Sequence, residues 1–325
     1  MSGRIFHAPF LSTNPAFKLK AVVERHHKKM AADYPGIISY NTVDAMLNDP
    51  EIEFIIVNTP NFTHFDFATR ALQAGKHVLI EKPAAANAAE MKALYDLAKT
   101  RDLHVMVYQN RRWDSDFMAV KAVIESGKLG RLTEVHLRYD RYKPILSPKP
   151  FKETKDTAIN GLVYDLGPHI IDQAMALFGR PLSFNKVTAM QRDDSEVIDY
   201  FNFQLVYPNQ LRVFLTGGLL IPEPLPSFVV HGTLGSFLKY RCDVQEVQLD
   251  GGMSPLAEGY GIEPAGSEGK LVTVGVDDQK TIEWVPSGKG DYSGLFEAVH
   301  QTIRNGALYP ITEEHMSWQM ELLEA

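Results

Sequence analysis

Residues 52–83 read IEFIIVNTPNFTHFDFATRALQAGKHVLIEKP, and this stretch decides the fold. It contains two short, nearly continuous apolar runs, IEFIIVN at 52–58 and HVLIE at 77–81. Between them, residues 63–74 place apolar side chains on one helical face. Apolar runs without polar alternation are typical of strands buried on both faces of a parallel sheet. The stretch therefore predicts a strand–helix–strand unit.

The same rhythm extends through the first third of the chain. Further apolar runs lie at 19–24 and 104–108, and residues 87–99 have a helical pattern. Strands that alternate with helices through short loops predict a doubly wound parallel sheet of the dinucleotide-binding kind.

After Arg112 the pattern changes to strands that follow one another. Residues 133–142 alternate between apolar and polar side chains, which is typical of a half-buried strand. Further strands are predicted at 199–207, 211–216, 227–231, 236–240 and 244–249, and helices at 165–178, 292–305 and 313–323. We therefore expect a dinucleotide-binding domain at 1–111. We expect a substrate-binding and oligomerisation domain with an open, mainly antiparallel sheet at 112–325, whose last helix packs back on the first domain.

Composition limits the classes of function. The chain has 325 residues and a formal charge of -7, whereas nucleic-acid binders show a basic face. One cysteine, Cys242, cannot form an internal disulfide, and no apolar run reaches the roughly 20 residues of a membrane helix. We expect a cytoplasmic protein that binds neither nucleic acid nor membrane. Because exposed apolar sheet faces are usually covered, we expect a homo-oligomer, either a dimer or a tetramer.

The first residues carry only part of a dinucleotide-binding signature. Such folds open with a strand and a G-x-G-x-x-G turn, and an acidic residue follows about 20 residues later. Here Gly3 precedes a helical stretch, and Glu24 ends the next strand. We expect Gly3 to be the last glycine of a turn whose front and preceding strand have been lost. The alternative is that the chain never had this signature.

Two tripeptides follow buried strands, Thr59-Pro60-Asn61 and Glu81-Lys82-Pro83. In open parallel sheets, ligands bind beyond the carboxyl ends of the strands, so both tripeptides are expected at a cofactor crevice. The Lys82 ammonium could stabilise alkoxide character on a substrate oxygen during hydride transfer. The alternative is a lysine that merely pairs with Glu81 at the rim.

A second motif spans residues 161–172 and reads GLVYDLGPHIID. Asp165 and His169 are four residues apart on one predicted helix, so their side chains would share a face. His169 could act as a general base, and Asp165 could orient it or bind a second hydroxyl. The alternatives are a structural histidine and a metal pair. No third ligand follows at a recognisable spacing, so we expect no metal.

These motifs resemble those of the Gfo/Idh/MocA oxidoreductase family over nearly the whole chain. The resemblance rests on E-K-P at 81–83 and G-x-x-x-D-x-G-x-H-x-x-D at 161–172, although Asn160 replaces the first of the family's two glycines. YQNRRWDSDF at 108–117 resembles a narrower branch that includes NADP-dependent scyllo-inositol dehydrogenases. The resemblance implies a Rossmann domain followed by an open antiparallel sheet, with Lys82, Asp165 and His169 in catalysis. Family members extend further at both ends, so the chain is expected to be clipped.

The sequence thus predicts an NAD- or NADP-dependent dehydrogenase that acts on a secondary hydroxyl of a sugar or cyclitol, an inositol being the first expectation. The predicted cofactor-binding residues are Gly3, Glu24, Arg25, Thr59, Pro60, Asn61, His64, Glu81, Lys82 and Asn110. The predicted substrate contacts are Arg112, Trp113, Tyr142 and Asp172.

Two questions stay open from the sequence. Glu24 would bind a ribose diol and repel a 2'-phosphate, which favours NAD, but the basic run 25–29 could hold that phosphate and the branch resemblance favours NADP. The alternative functions are an NAD-dependent lyase or glycosidase and a non-catalytic regulator that senses the cofactor. The regulator would be expected to lack Lys82 or His169.

Overall fold

The computed structural model describes residues 2–147, 153–154 and 159–324. The chain divides into two compact units. The first unit comprises residues 1–108, 246–260 and 292–313, and the second unit comprises residues 109–245, 261–291 and 314–325. The predicted boundary at residue 111 and the packing predicted for the last helix stay predictions.

The secondary structure of the described residues begins with a π-helix at Gly3–His7. The α-helices are α1 Ala8–Thr13, α2 Met30–Asp33, α3 Val43–Leu47, α4 His64–Gln73, α5 Ala88–Thr100, α6 Ser115–Glu125, α7 Leu162–Asp165, α8 Gly167–Phe178, α9 Gln245–Asp250, α10 Ser293–Asn305 and α11 Glu313–Glu324. The strands are β1 Ala21–Val23, β2 Ile38–Tyr40, β3 Phe54–Val57, β4 His77–Ile80, β5 Val105–Val107, β6 Leu132–Asp140, β7 Ser183–Ala189, β8 Tyr200–Val206, β9 Arg212–Gly218, β10 Phe228–Gly232, β11 Gly235–Lys239, β12 Gly269–Val274 and β13 Lys280–Val285.

The first unit is built on parallel strands, which form two separate sheets. β1 pairs with β2, and β3, β4 and β5 pair in that order. β4 is the central strand of its sheet, and its residues 78–80 are completely buried because neighbouring strands and helices cover it on all sides. The predicted parallel, Rossmann-type architecture is confirmed.

The second unit contains an eight-stranded sheet in the order β13-β12-β11-β10-β6-β9-β8-β7. All neighbours are antiparallel except β6 and β9, which run parallel. α8 packs on β6 and β9, so Val135 and Leu137 are fully buried on one face. Towards one edge of the sheet, Ile282 and Trp284 of β13 stay more than half exposed. The predicted open, mainly antiparallel sheet is confirmed, and the homo-oligomer stays a prediction.

Four elements of the second half differ from the sequence prediction. Residues 244–249 were expected to form a strand, but α9 occupies Gln245–Asp250. The Asp243 carboxylate accepts a hydrogen bond from the amide of Gln245 at 3.0 Å, a local contact that turns the chain at the start of α9. β7, β12 and β13 were not predicted. β7 and β13 are the two edge strands of the sheet, and their side chains are exposed or only partly buried and give no apolar pattern.

The structure also addresses the expectation about membranes. Among the residues that the structure describes, no helix is both long and apolar enough to cross a bilayer.

Candidate active site

In the first unit, polar segments follow the carboxyl ends of adjacent strands. Thr59-Pro60-Asn61 comes after β3, and Glu81-Lys82-Pro83 comes after β4, the strand paired with it. Parallel strands end at one edge of their sheet, so these segments share that edge.

Buried His64, at the start of α4, holds the two segments together. Its Nδ1 lies 2.8 Å from the carbonyl oxygen of Pro83, and its Nε2 lies 2.8 Å from that of Thr59. The Thr59 hydroxyl oxygen also lies 2.6 Å from that of Thr63. The predicted cofactor residue His64 thus braces the crevice through the main chain of its neighbours.

Gly3 lies close to the end of β3. A Cβ atom added at Gly3 would lie 2.5 Å from Nδ2 of Asn58, so only glycine fits this position without a shift of the Asn58 side chain. Gly3 also begins the first helical segment, and the amides at the amino end of a helix have no partner within the helix. A helix that starts with a glycine beside a strand end is the arrangement that accepts a dinucleotide diphosphate. These residues therefore fit the nicotinamide cofactor.

Glu24 directly follows β1, and its carboxylate is held by its own loop. Oε1 accepts hydrogen bonds from the amides of Lys29 at 2.8 Å and Met30 at 3.2 Å, and Oε2 accepts one from the Ser39 hydroxyl at 2.8 Å. Burial acts to raise the pKa of Glu24, but these hydrogen bonds outweigh it and the pKa is lowered. An ionised acceptor therefore lies where a ribose diol is expected.

The basic run after Glu24 is only partly available for a phosphate. The Lys28 ammonium donates to the Glu24 carbonyl at 2.8 Å and to Oδ1 of Asn41 at 2.6 Å, so it is committed to this loop. Arg25 is exposed.

Glu81, the residue before Lys82, receives two contacts that the sequence did not predict. Oε1 accepts a hydrogen bond from the Ser2 hydroxyl at 2.6 Å and lies 2.9 Å from Nε2 of His7. Burial acts to raise the pKa of Glu81, but these partners outweigh it and the pKa is lowered. Ser2 and His7 lie more than 70 positions away in the chain and belong to no motif, so nothing in the sequence pointed to them.

In the second unit, the motif at 161–172 does not form one helix. α7 ends at Asp165, Leu166 interrupts it, and α8 begins at Gly167. Pro168 explains the break, because inside a continuous helix it would lack an amide donor and would clash with the preceding turn. In the first turn of α8 it is tolerated. The prediction that Asp165 and His169 lie on one helix is therefore wrong.

Gly161 allows this motif to start next to β8. Its φ is +84°, and a Cβ there would lie 2.8 Å from the carbonyl oxygen of Ile198. That carbonyl accepts the amide of Leu162 at 2.7 Å. The glycine is needed both for the left-handed backbone and for this close approach, whereas Asn160 before it is not so constrained.

His169 lies in the first turn of α8 and is only 6% exposed. Its ring centroid is 6.3 Å from that of Tyr139. The preceding carbonyl, of Pro168, accepts a hydrogen bond from Nε2 of Gln319 at 2.9 Å, and Oε1 of Gln319 accepts one from Gln109 at 3.0 Å. The buried pair Gln109 and Gln319 thus fixes the amino end of α8. No sequence motif predicted this pair.

The four predicted substrate residues also belong to the second unit, and the structure brings two of them together. Arg112 and Asp172 form a bidentate ion pair, with Nε to Oδ2 at 2.8 Å and Nη2 to Oδ1 at 2.7 Å. Their side chains are 11% and 3% exposed. Trp113 is held through its carbonyl by Gln245 at 3.0 Å, whereas Tyr142 is 59% exposed. The predicted cofactor residue Asn110 is buried.

A partly buried cluster that the sequence did not predict lies beside α6. Ligand atoms of Asp116, Cys242 and Glu263 lie within 4.8 Å of one another. The Lys239 ammonium donates to Oε2 of Glu263 at 2.6 Å, so a cation already balances this carboxylate. The cluster belongs to the second unit, as do Asp165 and His169, whereas Lys82 belongs to the first unit.

The fold and these strand ends define an oxidoreductase with a dinucleotide-binding domain. Residues 1–109 match the family model described as "Oxidoreductase family, NAD-binding Rossmann fold", and residues 117–238 match "GFO/IDH/MocA C-terminal domain". The chain belongs to the Gfo/Idh/MocA family of oxidoreductases.

Similar proteins include two that are named as dehydrogenases. The chain is 35% identical to the scyllo-inositol 2-dehydrogenase (NADP(+)) IolW of Bacillus subtilis, across 100% of this chain and 90% of the relative. It is 31% identical to the levoglucosan dehydrogenase of Pseudarthrobacter phenanthrenivorans, across 53% of this chain and 46% of the relative. The solved structure of the oxidoreductase yvaA from Bacillus subtilis matches with a TM-score of 0.95 and 34% identity, across 100% of this chain and 91% of that one.

Proposed function

We propose that the protein is an NAD(P)-dependent dehydrogenase that oxidises a secondary hydroxyl of a cyclitol or sugar, with an inositol as its substrate. The observation that carries this proposal is the similarity to IolW, which extends over the whole chain. The levoglucosan dehydrogenase supports the same class, since levoglucosan is also a compact ring that bears several hydroxyls.

We assign the reactive roles to Lys82 and His169. The bound cofactor would supply a nicotinamide that accepts or donates the hydride. Lys82, which follows β4, would donate a hydrogen bond to the substrate oxygen and stabilise its developing negative charge. His169 would take the hydroxyl proton, and Asp165 would orient the substrate or the imidazole. Gly3 and the segment after β3 would hold the diphosphate of the cofactor.

The choice of cofactor is a separate proposal. The lowered pKa of Glu24 keeps an anion after β1, which favours the ribose diol of NAD over the 2'-phosphate of NADP. Lys28 supports the same preference, because its ammonium already donates hydrogen bonds to the Glu24 carbonyl and to Asn41 and is not available to a phosphate. Comparing KM for NAD and NADP tests this, and a strong preference for NADP would overturn the role given to Glu24.

The proposed function is tested by initial rates with scyllo-inositol, myo-inositol and aldoses, with both cofactors. For Lys82→Ala we expect kcat to fall on the order of 100-fold or more, the usual effect of removing one oxyanion donor, while cofactor affinity stays nearly unchanged. Lys92→Ala is the matched control, because this lysine is exposed and pairs with Asp96 on the same helix α5.

Three results would contradict the proposal. Normal turnover by Lys82→Ala would remove the lysine from the chemistry. Turnover of glycosides without net reduction of the cofactor would favour the lyase or glycosidase. Cofactor binding without turnover of any polyol would favour the regulator.

A further inference from the structure

His7 is positioned by an unusual turn near the start of the chain. It is the last residue of the π-helix Gly3–His7, which is closed by a hydrogen bond from the Ala8 amide to the Gly3 carbonyl. Pro9 follows within the first turn of α1 and offers no amide to continue a regular ladder. Isolated π-helical turns occur often at functional sites, because they re-aim one side chain. This turn directs the His7 imidazole into the interior, where it is only 3% exposed.

The surroundings of the imidazole decide which nitrogen carries the hydrogen. Nε2 lies 2.9 Å from Oε1 of Glu81, and an ionised carboxylate can only accept. Nε2 is therefore the donor. Nδ1 is buried and has no hydrogen-bond partner among the residues described, so a hydrogen there would be an unpaired buried donor. The rings of Tyr108 and Phe296, with centroids 4.5 Å and 6.2 Å from that of His7, fix its orientation.

Glu81 in turn contacts the main chain of Lys82. Its Oε2 accepts a hydrogen bond from the Lys82 amide at 3.3 Å. Among the described residues, the charged or titratable groups that act on the Glu81 carboxylate are His7, from the π-helix, and Lys82, on its own segment. Without the N–H donor of His7, burial would favour the protonated form of the Glu81 carboxyl. A protonated carboxyl could not accept hydrogen bonds on both oxygens as the carboxylate does.

We propose that His7 is a positioning residue: its Nε2–H keeps the Glu81 carboxylate ionised and oriented, and thereby fixes the segment that presents Lys82. The consequence for turnover rests on the proposed function, but the effect on Glu81 does not. The role of the histidine is thus to act on Lys82 through the carboxylate before it.

The experiment compares three variants in the full chain. His7→Phe removes the donor and keeps the aromatic packing, whereas His7→Gln places an amide N–H near the position of Nε2. Phe10→Leu is the matched control, because Phe10 stacks on the same Phe296, with ring centroids 5.3 Å apart, and has no polar side-chain atom. Carboxyl-13C NMR, with the Glu81 signal assigned from Glu81→Gln, follows the titration of Glu81, and the amide signal of Lys82 is followed in parallel.

We expect His7→Phe to move the Glu81 titration to higher pH and to change the Lys82 amide shift, while His7→Gln restores much of both and Phe10→Leu changes neither. An unchanged Glu81 titration in His7→Phe overturns the proposal, whether or not the protein oxidises an inositol.

Turnover supplies the second readout. With an oxidised polyol, kcat of His7→Phe should fall about 10-fold, as expected for one lost charge-assisted hydrogen bond, with KM for the cofactor within about twofold. A moved titration with unaltered kcat would overturn the link to Lys82. Failure of the wild-type protein to oxidise any polyol would refute the proposed function alone, since the NMR result would still decide the role of His7.

Discussion

The Arg112–Asp172 pair offers a quantitative test of how the second unit is held together. Both charges are largely buried and joined by two short hydrogen bonds. Arg112→Ala would leave the Asp172 carboxylate, 3% exposed, without its counterion. Removing one partner of a buried pair typically destabilises by about 3–5 kcal/mol, because the remaining charge is neither solvated nor paired. At a few degrees per kcal/mol, the melting temperature should fall by roughly 10 °C.

The assay is thermal unfolding followed by circular dichroism, with kcat and KM measured on the same samples. Arg180→Ala is the matched control, because Arg180 pairs with Glu321 in the same unit, but with exposed side chains, and such pairs contribute about 1 kcal/mol or less. The double variant Arg112→Met/Asp172→Leu removes both charges and keeps apolar volume. It should recover much of the lost stability, since replacing a whole buried pair is often nearly neutral.

The result that would refute this reasoning is an Arg112→Ala protein with unchanged melting temperature and a raised KM for the polyol. Arg112 would then be chiefly a substrate contact, as the sequence predicted. Water would solvate the Asp172 carboxylate in place of the missing arginine. A loss of stability in the double variant as large as in the single one would refute the electrostatic origin of the effect.

Two further predictions concern the cluster beside α6. Burial raises the pKa of the Cys242 thiol to about 12, and its Sγ lies 3.3 Å from the carbonyl oxygen of Tyr240 and 3.7 Å from that of Ser267. Iodoacetamide at pH 8 should therefore label the native protein far more slowly than the unfolded one, and equal rates would contradict this. Burial also raises the pKa of Asp116, so the native state binds a proton more tightly than the unfolded chain, and stability falls as pH rises above about 4 towards the native pKa. Asp116→Asn should therefore gain in melting temperature relative to the wild type between pH 4 and pH 7, and a constant difference would refute the assignment.

The sequence predicted the parts of the fold whose burial leaves a simple pattern. β4 lies in the middle of an apolar run, because it is the central strand of its sheet and has little exposed surface. β3 lies at the edge of that sheet, but alternate residues are buried and its run is apolar throughout. β6 was recognised by alternation, since one of its faces packs on α8. β13 is an edge strand with little burial, and so its side chains are under no such constraint. α9 was misjudged as a strand, because the local contact of the Asp243 carboxylate with the Gln245 amide, which turns the chain there, leaves no mark in the apolar pattern.

In the candidate site, too, some features could be predicted from the sequence and others could not. A tripeptide such as Glu81-Lys82-Pro83 is recognisable because its position after a strand has a general meaning in parallel sheets. The groups that hold it are not recognisable, because Ser2, His7 and His64 reach it through contacts that only the folded chain creates. The break between Asp165 and His169 could have been predicted from Pro168, whose place in a first turn implies a new helix start.

The contacts around Glu81-Lys82-Pro83 determine how well Lys82 can stabilise an oxyanion. An ammonium stabilises an oxyanion only if it is held where the charge develops, and a flexible four-carbon side chain does not ensure this by itself. In the first unit, the main chain around Lys82 is fixed on both sides: the Glu81 carboxylate is gripped by Ser2 and His7, and the Pro83 carbonyl lies against His64. If the lysine is the electrostatic partner, variants at His7 and His64 should lower kcat more than cofactor affinity. Variants that merely loosen the first unit should lower both together.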